Sequence, residues 1–252
     1  DAWREEAHRQ LMIALARTGQ LAAALTQYQT CRRLMLEEFD AEPSEETMAL
    51  YERIRAALRG PRHNLPGALT GFVGRVEEME ALRRRLAMPA CRLLTVVGPG
   101  GSGKTRLVLE VATALAPAFL NGVWFVSLAA VSPDEPEAVA STLAAALHLA
   151  LGAGDPRKLL LDSLRQRELL LVLDNLEHLL GGVGWFSQLL AAAPDVKILV
   201  TSRERLNLQV EQVVQLSGMP IPPAEAPTPE RYAAVELFVR RARRVDDAFA
   251  LT

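Results

Sequence analysis

Across the first sixty positions, apolar residues recur mostly at three- and four-residue spacings, through Leu11, Leu15, Leu21, Leu25, Leu34 and Leu36. That period is helical. It breaks at Thr18-Gly19-Gln20, which predicts a helix–turn–helix. Ser44, followed by Glu45 and Glu46, predicts the start of a third helix: the serine oxygen accepts from free amides of the first turn, and acids suit its positive end. Paired antiparallel helices of this kind bury one face against a neighbouring pair. GPRHNLPG (60–67) blocks regular structure with two prolines and two glycines and reads as a linker. From residue 92 the pattern changes to short apolar runs separated by helical stretches. RLLTVV (92–97), VWFVSL (123–128), LLLVL (169–173), KILVT (197–201) and VVQL (213–216) are the predicted strands. Helices are predicted from near Gly103, from Ser132-Pro133-Asp134 and from Asp155-Pro156, the last two through a capping side chain ahead of proline. The alternation predicts a parallel sheet covered by helices on both faces, with ligands beyond the carboxyl ends of the strands.

Composition adds exclusions. Half of the 252 residues are hydrophobic and 23% are charged, which is globular composition. The net charge of −2 gives no general pull towards nucleic acid or an acidic membrane. Residues 1–60 carry 8 Arg against 10 Asp and Glu, so no direct nucleic-acid contact is expected there. Cys31 and Cys91 lack CxxC or Cys/His spacing; they offer neither a metal site nor a disulfide framework and fit a reducing cytoplasm. The apolar stretch Leu143–Leu151 is far short of a roughly 20-residue membrane span and is interrupted by His148. No signal peptide is recognisable, and a cytoplasmic location is expected. The chain begins at Asp1 inside a helical pattern and stops at Thr252 without a cap, so it reads as a piece of a longer protein.

The chemistry begins at GPGGSGKT, residues 98–105, which fits GxxxxGK[ST] between a predicted strand and a predicted helix. Gly98, Gly100, Gly101 and Gly103 let the backbone wrap closely. The loop amides, with Ser102 among them and Arg106 just beyond, then face phosphate oxygens at a helix N-terminus. Lys104 is expected at the β- and γ-phosphates and the Thr105 hydroxyl on Mg²⁺. An ordinary Gly-rich turn is the alternative. Asp174, at the end of LLLVL, is expected near Thr105 and the same metal; a helix cap is its alternative. Seventy residues separate Lys104 from Asp174, room for a whole strand and two helices. The Asp174 strand is therefore not expected next in sequence after the phosphate-loop strand, nor beside it as in simple nucleotide kinases.

Asn175 follows where many nucleotide hydrolases carry a second acid. An amide is no general base at neutral pH, although it can orient water. Glu177 is the nearest other acid, but it lies three residues into the next segment, from where its side chain can point away. Thr201-Ser202-Arg203 ends the fourth strand, and Arg203 there either senses a terminal phosphate or is a surface arginine. His178 reads as a surface histidine that lies close enough to approach the site. Arg83-Arg84-Arg85 and Arg240, Arg241, Arg243 and Arg244 read as solvated faces. Trp3, Trp124 and Trp185 read as core or interface residues.

Together, GFVGRVEEMEAL (71–82), LLTVVGPGGSGKTRLVLEVA, LLLVLDNLEHLL and ILVTSRERLNL resemble the nucleotide-binding domain of signal-transduction ATPases with numerous domains (STAND), of the NB-ARC-like type in bacterial transcriptional regulators. ALARTGQLAAALTQYQTCRRLMLEEFDAEPSEETMALYERI resembles the tail of a bacterial transcriptional activator domain (BTAD), a tetratricopeptide-like unit; SARP-type regulators carry the two in this order. The resemblance covers nearly the whole chain. It implies residues 1–60 as the helical unit, 61–70 as linker and 71–252 as a P-loop domain truncated at its C-terminus. Phe72, Val73, Gly74 and Arg75 match the segment that lies against adenine and ribose in the family, Gly98 to Thr105 the Walker A loop, Asp174 the Walker B acid and Arg203 the sensor-1 arginine. Adenine is implied by the resemblance alone, since contacts to phosphate carry no base identity. A DNA-binding winged helix is implied upstream, and a GxP motif, a winged helix and sensor repeats downstream. Gly218-Met219-Pro220 matches the GxP letters but follows a strand at the wrong place and is not taken for that motif.

In such proteins ADP holds a closed form, and exchange for ATP permits opening and often self-assembly. Strong binding chemistry beside an undecided base predicts slow Mg²⁺-dependent ATP hydrolysis, far below the ~1–100 s⁻¹ of phosphoryl-transfer kinases, with Lys104, Asp174 and Arg203 in the reaction. Two other readings stand: a turnover ATPase of the AAA+ kind, and a helical interaction scaffold whose nucleotide is structural.

Overall fold

Alternating apolar strands and amphipathic helices fold, in a computed structural model, into an α/β layer carried beside a three-helix unit. The structure describes residues 2–59, 63–67, 70–135, 137–149, 154–223, 225–226 and 228–251. The three helices are α1 (Ala2–Arg17), α2 (Leu21–Phe39) and α3 (Glu45–Arg59). Gly19 turns the chain between the first two with φ +81°, and Ser44 Oγ accepts the Thr47 amide at 3.4 Å as the expected cap. The leucine stripe meets the core in part: Leu21 is buried in it and Leu15 and Leu25 pack against it, whereas Leu11 and Leu36 are exposed. Met12, Ala16, Ala24, Tyr28, Leu50 and Ile54 complete the core. Gly60–Arg62 of the linker and the Trp3 side chain lie outside the described residues. His63 and Asn64 of the linker are not free chain. His63 bridges Val123, and Asn64 both donates to the Phe125 carbonyl and accepts its amide, so this segment covers the outer sheet edge.

The sheet contains β1 (Leu93–Val97), β2 (Val123–Ser127), β3 (Leu169–Asp174), β4 (Val196–Ser202) and β5 (Glu211–Gln215) in the order β2-β3-β4-β1-β5. Every pairing is parallel. As predicted, the Asp174 strand is not the neighbour of the phosphate-loop strand: β4 lies between them. Two-residue alternation splits β3 between faces. Leu169, Leu171 and Leu173 join one core with α6 (Ala138–Ala146), α7 (Pro156–Leu164) and α8 (Trp185–Ala192). Leu170 and Val172 join the other with α4 (Val76–Ala87) and α5 (Lys104–Leu115). Trp124 and Trp185 are buried, in line with their core assignment.

Two local expectations fail. Ser132-Pro133-Asp134 is a turn in which Ser132 Oγ accepts the Asp134 amide at 3.3 Å, and α6 begins only at Ala138. Asp155 caps α7 as expected, accepting from the Arg157 amide. Arg85 is not merely solvated: its Nη1 donates to the Val213 carbonyl of β5 at 3.0 Å. A last helix, α9 (Ala233–Ala242), lies against the 71–74 segment, where a β-carbon on Gly74 would stand 2.6 Å from that of Ala233.

Candidate functional site at the carboxyl edge of the sheet

The phosphate loop joins β1 to α5. Gly101 and Gly103 take φ of +76° and +87°, the left-handed region that glycine enters without steric penalty. Gly98 is required for a different reason. A β-carbon there would lie 2.3 Å from the Leu216 carbonyl oxygen, where the chain leaving β5 crosses the loop. Lys104 opens α5 and is buried; its Nζ donates to the carbonyls of Gly98 and Pro99 at 2.8 and 2.9 Å. An ammonium has three donors, so one remains for an anion cradled by the loop.

Asp174 ends β3 and is buried. Its Oδ1 accepts from Thr105 Oγ1 at 2.6 Å and from Thr201 Oγ1 at 2.5 Å. Among the described residues no donor reaches Oδ2. The sheet order explains the meeting: β4 separates β3 from β1, and its Thr201 fills the gap between the acid and the loop. Thr201 was missed as a site residue; its only signal was its place at the tip of KILVT. A hydroxyl and a carboxylate oxygen side by side suit a hard cation such as Mg²⁺, which takes few protein ligands and completes its shell from phosphate and water. Among the described residues there is no group of three or more His, Cys, Asp or Glu able to hold a metal ion.

Asn175 has φ +62°, and its amide donates to Thr201 Oγ1 at 3.1 Å. Its role in the fold is thus a backbone one. Glu177 does not point away from the site. It opens a 3₁₀ turn (Glu177–Gly182), and its Oε1 pairs with Arg203 Nε at 3.0 Å. Arg203 is exposed, yet it is no isolated surface arginine: its Nη2 lies within 3.9 Å of where a Gly100 β-carbon would stand. His178 Nε2 faces the Val131 carbonyl at 2.9 Å, away from the loop.

The 72–75 segment meets the phosphate loop through Arg75. That residue is buried with φ +58°; its Nη2 donates to the Ser102 carbonyl at 2.9 Å and the Ser217 carbonyl at 2.8 Å, and Nη1 pairs with Glu78. One guanidinium therefore ties the loop to the chain leaving β5. Val73 is buried, Phe72 packs beside α4 and α5, and Gly74 has φ +68°. Arg106 stands 5.9 Å over the Phe72 ring, donates to Thr70 and pairs with Glu110. These contacts brace the loop from behind. Arg75→Ala is expected to weaken nucleotide binding about tenfold, because two carbonyls lose a charge-assisted donor; isothermal titration checks it, and unchanged affinity would mean that the loop keeps its shape without the brace.

Comparison with known proteins follows the same division. Residues 71–251 match the AAA ATPase domain model, and residues 1–55 match the bacterial transcriptional activator domain. Uncharacterized protein Rv0894 of Mycobacterium tuberculosis is 35% identical over 75% of this chain and 46% of its own length. Regulatory protein AfsR of Streptomyces griseus is 31% identical over 94% of this chain and 26% of its own. The chain thus spans less than half the length of these relatives. A solved STAND protein with a tetratricopeptide repeat sensor, from Pyrococcus horikoshii, aligns with 74% of this chain and 27% of its own at 15% identity and a TM-score of 0.41. Among the described residues no helix is long and apolar enough to cross a membrane.

Proposed function

Because the chain belongs to the AAA ATPase domain family across residues 71–251, behind a bacterial transcriptional activator domain as in SARP-type regulators, we propose that this regulatory ATPase module is a nucleotide-held switch. ADP holds the resting form, Mg²⁺–ATP permits opening, and hydrolysis is slow. The observation that carries this reading is the bond between Thr105 and Asp174, which sets a hydroxyl and a carboxylate together at the mouth of the phosphate loop. Magnesium bound there would neutralise charge on the β- and γ-phosphate oxygens. Loop amides and Lys104 hold the phosphates, and Phe72 to Arg75 border the place for adenine and ribose. The other domains of the full-length protein, upstream and downstream, are the partners that opening would expose, with self-assembly in the ATP form.

The test is to purify the protein without added nucleotide, denature it and identify what is released by chromatography. Near-stoichiometric ADP is the expected result. An empty site in the full-length protein would overturn the switch reading and favour a fast-exchanging turnover ATPase.

A further inference from the structure

Resting on the nucleotide-switch reading, we infer that Glu177 is the general base of ATP hydrolysis and that Arg203 restrains it until a terminal phosphate arrives. Three observations converge. The 3₁₀ turn that carries Glu177 is fixed to the site: the Leu176 amide donates to the Thr201 carbonyl at 3.2 Å, and Leu176 and Leu179 are buried on either side of the acid. Glu177 therefore stands where its neighbours put it. Its two oxygens differ. Oε1 pairs with Arg203, whereas Oε2 is buried and has no hydrogen-bond partner among the described residues. A buried acceptor left unmet is costly and rare, and it is often a sign of a group with work to do. Lastly, Arg203 lies between Glu177 and the phosphate loop, with its other guanidinium nitrogen beside Gly100.

That position makes the guanidinium a shared partner. A phosphoryl group on the loop presents more charge and more acceptor oxygens than one carboxylate, and an arginine fork suits it well. When Arg203 turns to the phosphate, Glu177 loses its ion pair. The freed carboxylate takes the proton of a water whose oxygen attacks the terminal phosphorus. The bond from that phosphorus to the β–γ bridging oxygen breaks, the electron pair leaves with ADP, and inorganic phosphate forms. Glu177 afterwards returns its proton to solvent. Asn175 has no part in the proton transfer, because its side-chain amide does not accept the proton; its backbone N–H is engaged with Thr201 Oγ1. The device keeps the base ion-paired in every state that lacks a third phosphate.

The experiment uses the full chain with Mg²⁺–ATP in single-turnover mode, beside titrations of ATP and ADP. Glu177→Gln should lower the hydrolysis step about a hundredfold, within the range for general-base removal, and leave ATP affinity within about threefold, so that only the proton acceptor is lost. Arg203→Ala should leave ADP affinity unchanged and lower ATP affinity. Hydrolysis by Glu177→Gln at the wild-type rate, with ATP bound, overturns the proposal and leaves the switch intact. Loss of ATP binding together with hydrolysis in Glu177→Gln assigns the acid a structural role and also overturns it. Failure of the wild-type chain to bind either nucleotide would instead sink the switch reading itself.

Discussion

Asp174→Asn is expected to reduce Mg²⁺-dependent ATP hydrolysis about a thousandfold, equivalent to roughly 4 kcal/mol in the barrier, while the fold is retained. The side chain is buried, so a truncation to alanine would leave Thr105 and Thr201 without their acceptor and confuse chemistry with stability. Asparagine keeps an oxygen for both hydroxyls and removes the negative charge. What would disappear is the charge with which Asp174 would hold a divalent cation, which would in turn help to neutralise the phosphate oxygens. Affinity should follow the same logic. Mg²⁺–ATP should weaken more than ADP, and with the metal chelated the variant and wild type should bind ATP alike. Isothermal titration with magnesium and with chelator resolves the three cases. Equal weakening of both nucleotides in magnesium would mean that Asp174 shapes the loop through Thr105 and does not serve a metal.

How much of this site was legible beforehand depends on the range of the interactions. The loop from Gly98 to Thr105 and the acid at 174 are local signals: a glycine pattern in register with Lys-Thr, and an apolar run that stops on a carboxylate. Parallel order was readable from alternation, and the seventy-residue gap already excluded β3 as the neighbour of β1. Thr201 was not legible as a site residue, because its role depends on β4 lying between the other two strands. The tertiary job of Arg75 was equally hidden. Its carbonyl partners, Ser102 and Ser217, are far away in sequence, and no spacing rule joins them. The direction of Glu177 was left open for a related reason. A helix continuing after β3 would direct it elsewhere, whereas a 3₁₀ turn held by Thr201 brings it to Arg203. In the helical unit the leucine stripe located the core only in part, through Leu21, Leu15 and Leu25, because Ala16 and Ala24, which carry little hydrophobic signal, are also in it.

A second large effect is expected at Leu120, a residue outside every motif. It lies in the turn before β2, yet it is buried in the core of the helical unit beside Met12, Ala16 and Ile54. The same junction carries an ion pair between Arg17 and Glu168 at 2.9 Å, and Asn121 ties the two strand entries together through the backbone of Glu168. The exposed ion pair contributes little by itself. Leucine burial dominates, at about 2–5 kcal/mol for truncation, and a carboxylate placed among these side chains adds a desolvation penalty. Leu120→Asp should therefore release the helices from the nucleotide-binding domain and leave the latter folded. Hydrogen exchange should accelerate in α3 and in the turn at 120–122, while α5 and β3 keep their protection. Leu120→Met should behave as wild type, since volume and polarity are nearly kept. The consequence for the switch lies at the other end of the strand that Leu120 precedes. β2 runs to Ser127, which pairs with Asp174, and the Leu128 amide donates to the Asp174 carbonyl at 2.9 Å. If docking of the helices is linked to which nucleotide is bound, the release must change the ADP/ATP affinity ratio, and by reciprocity exchange of ADP for ATP must change the docking equilibrium by that same factor. Unchanged affinities for both nucleotides in Leu120→Asp, with the helices demonstrably released, would show that the two units are joined without being coupled.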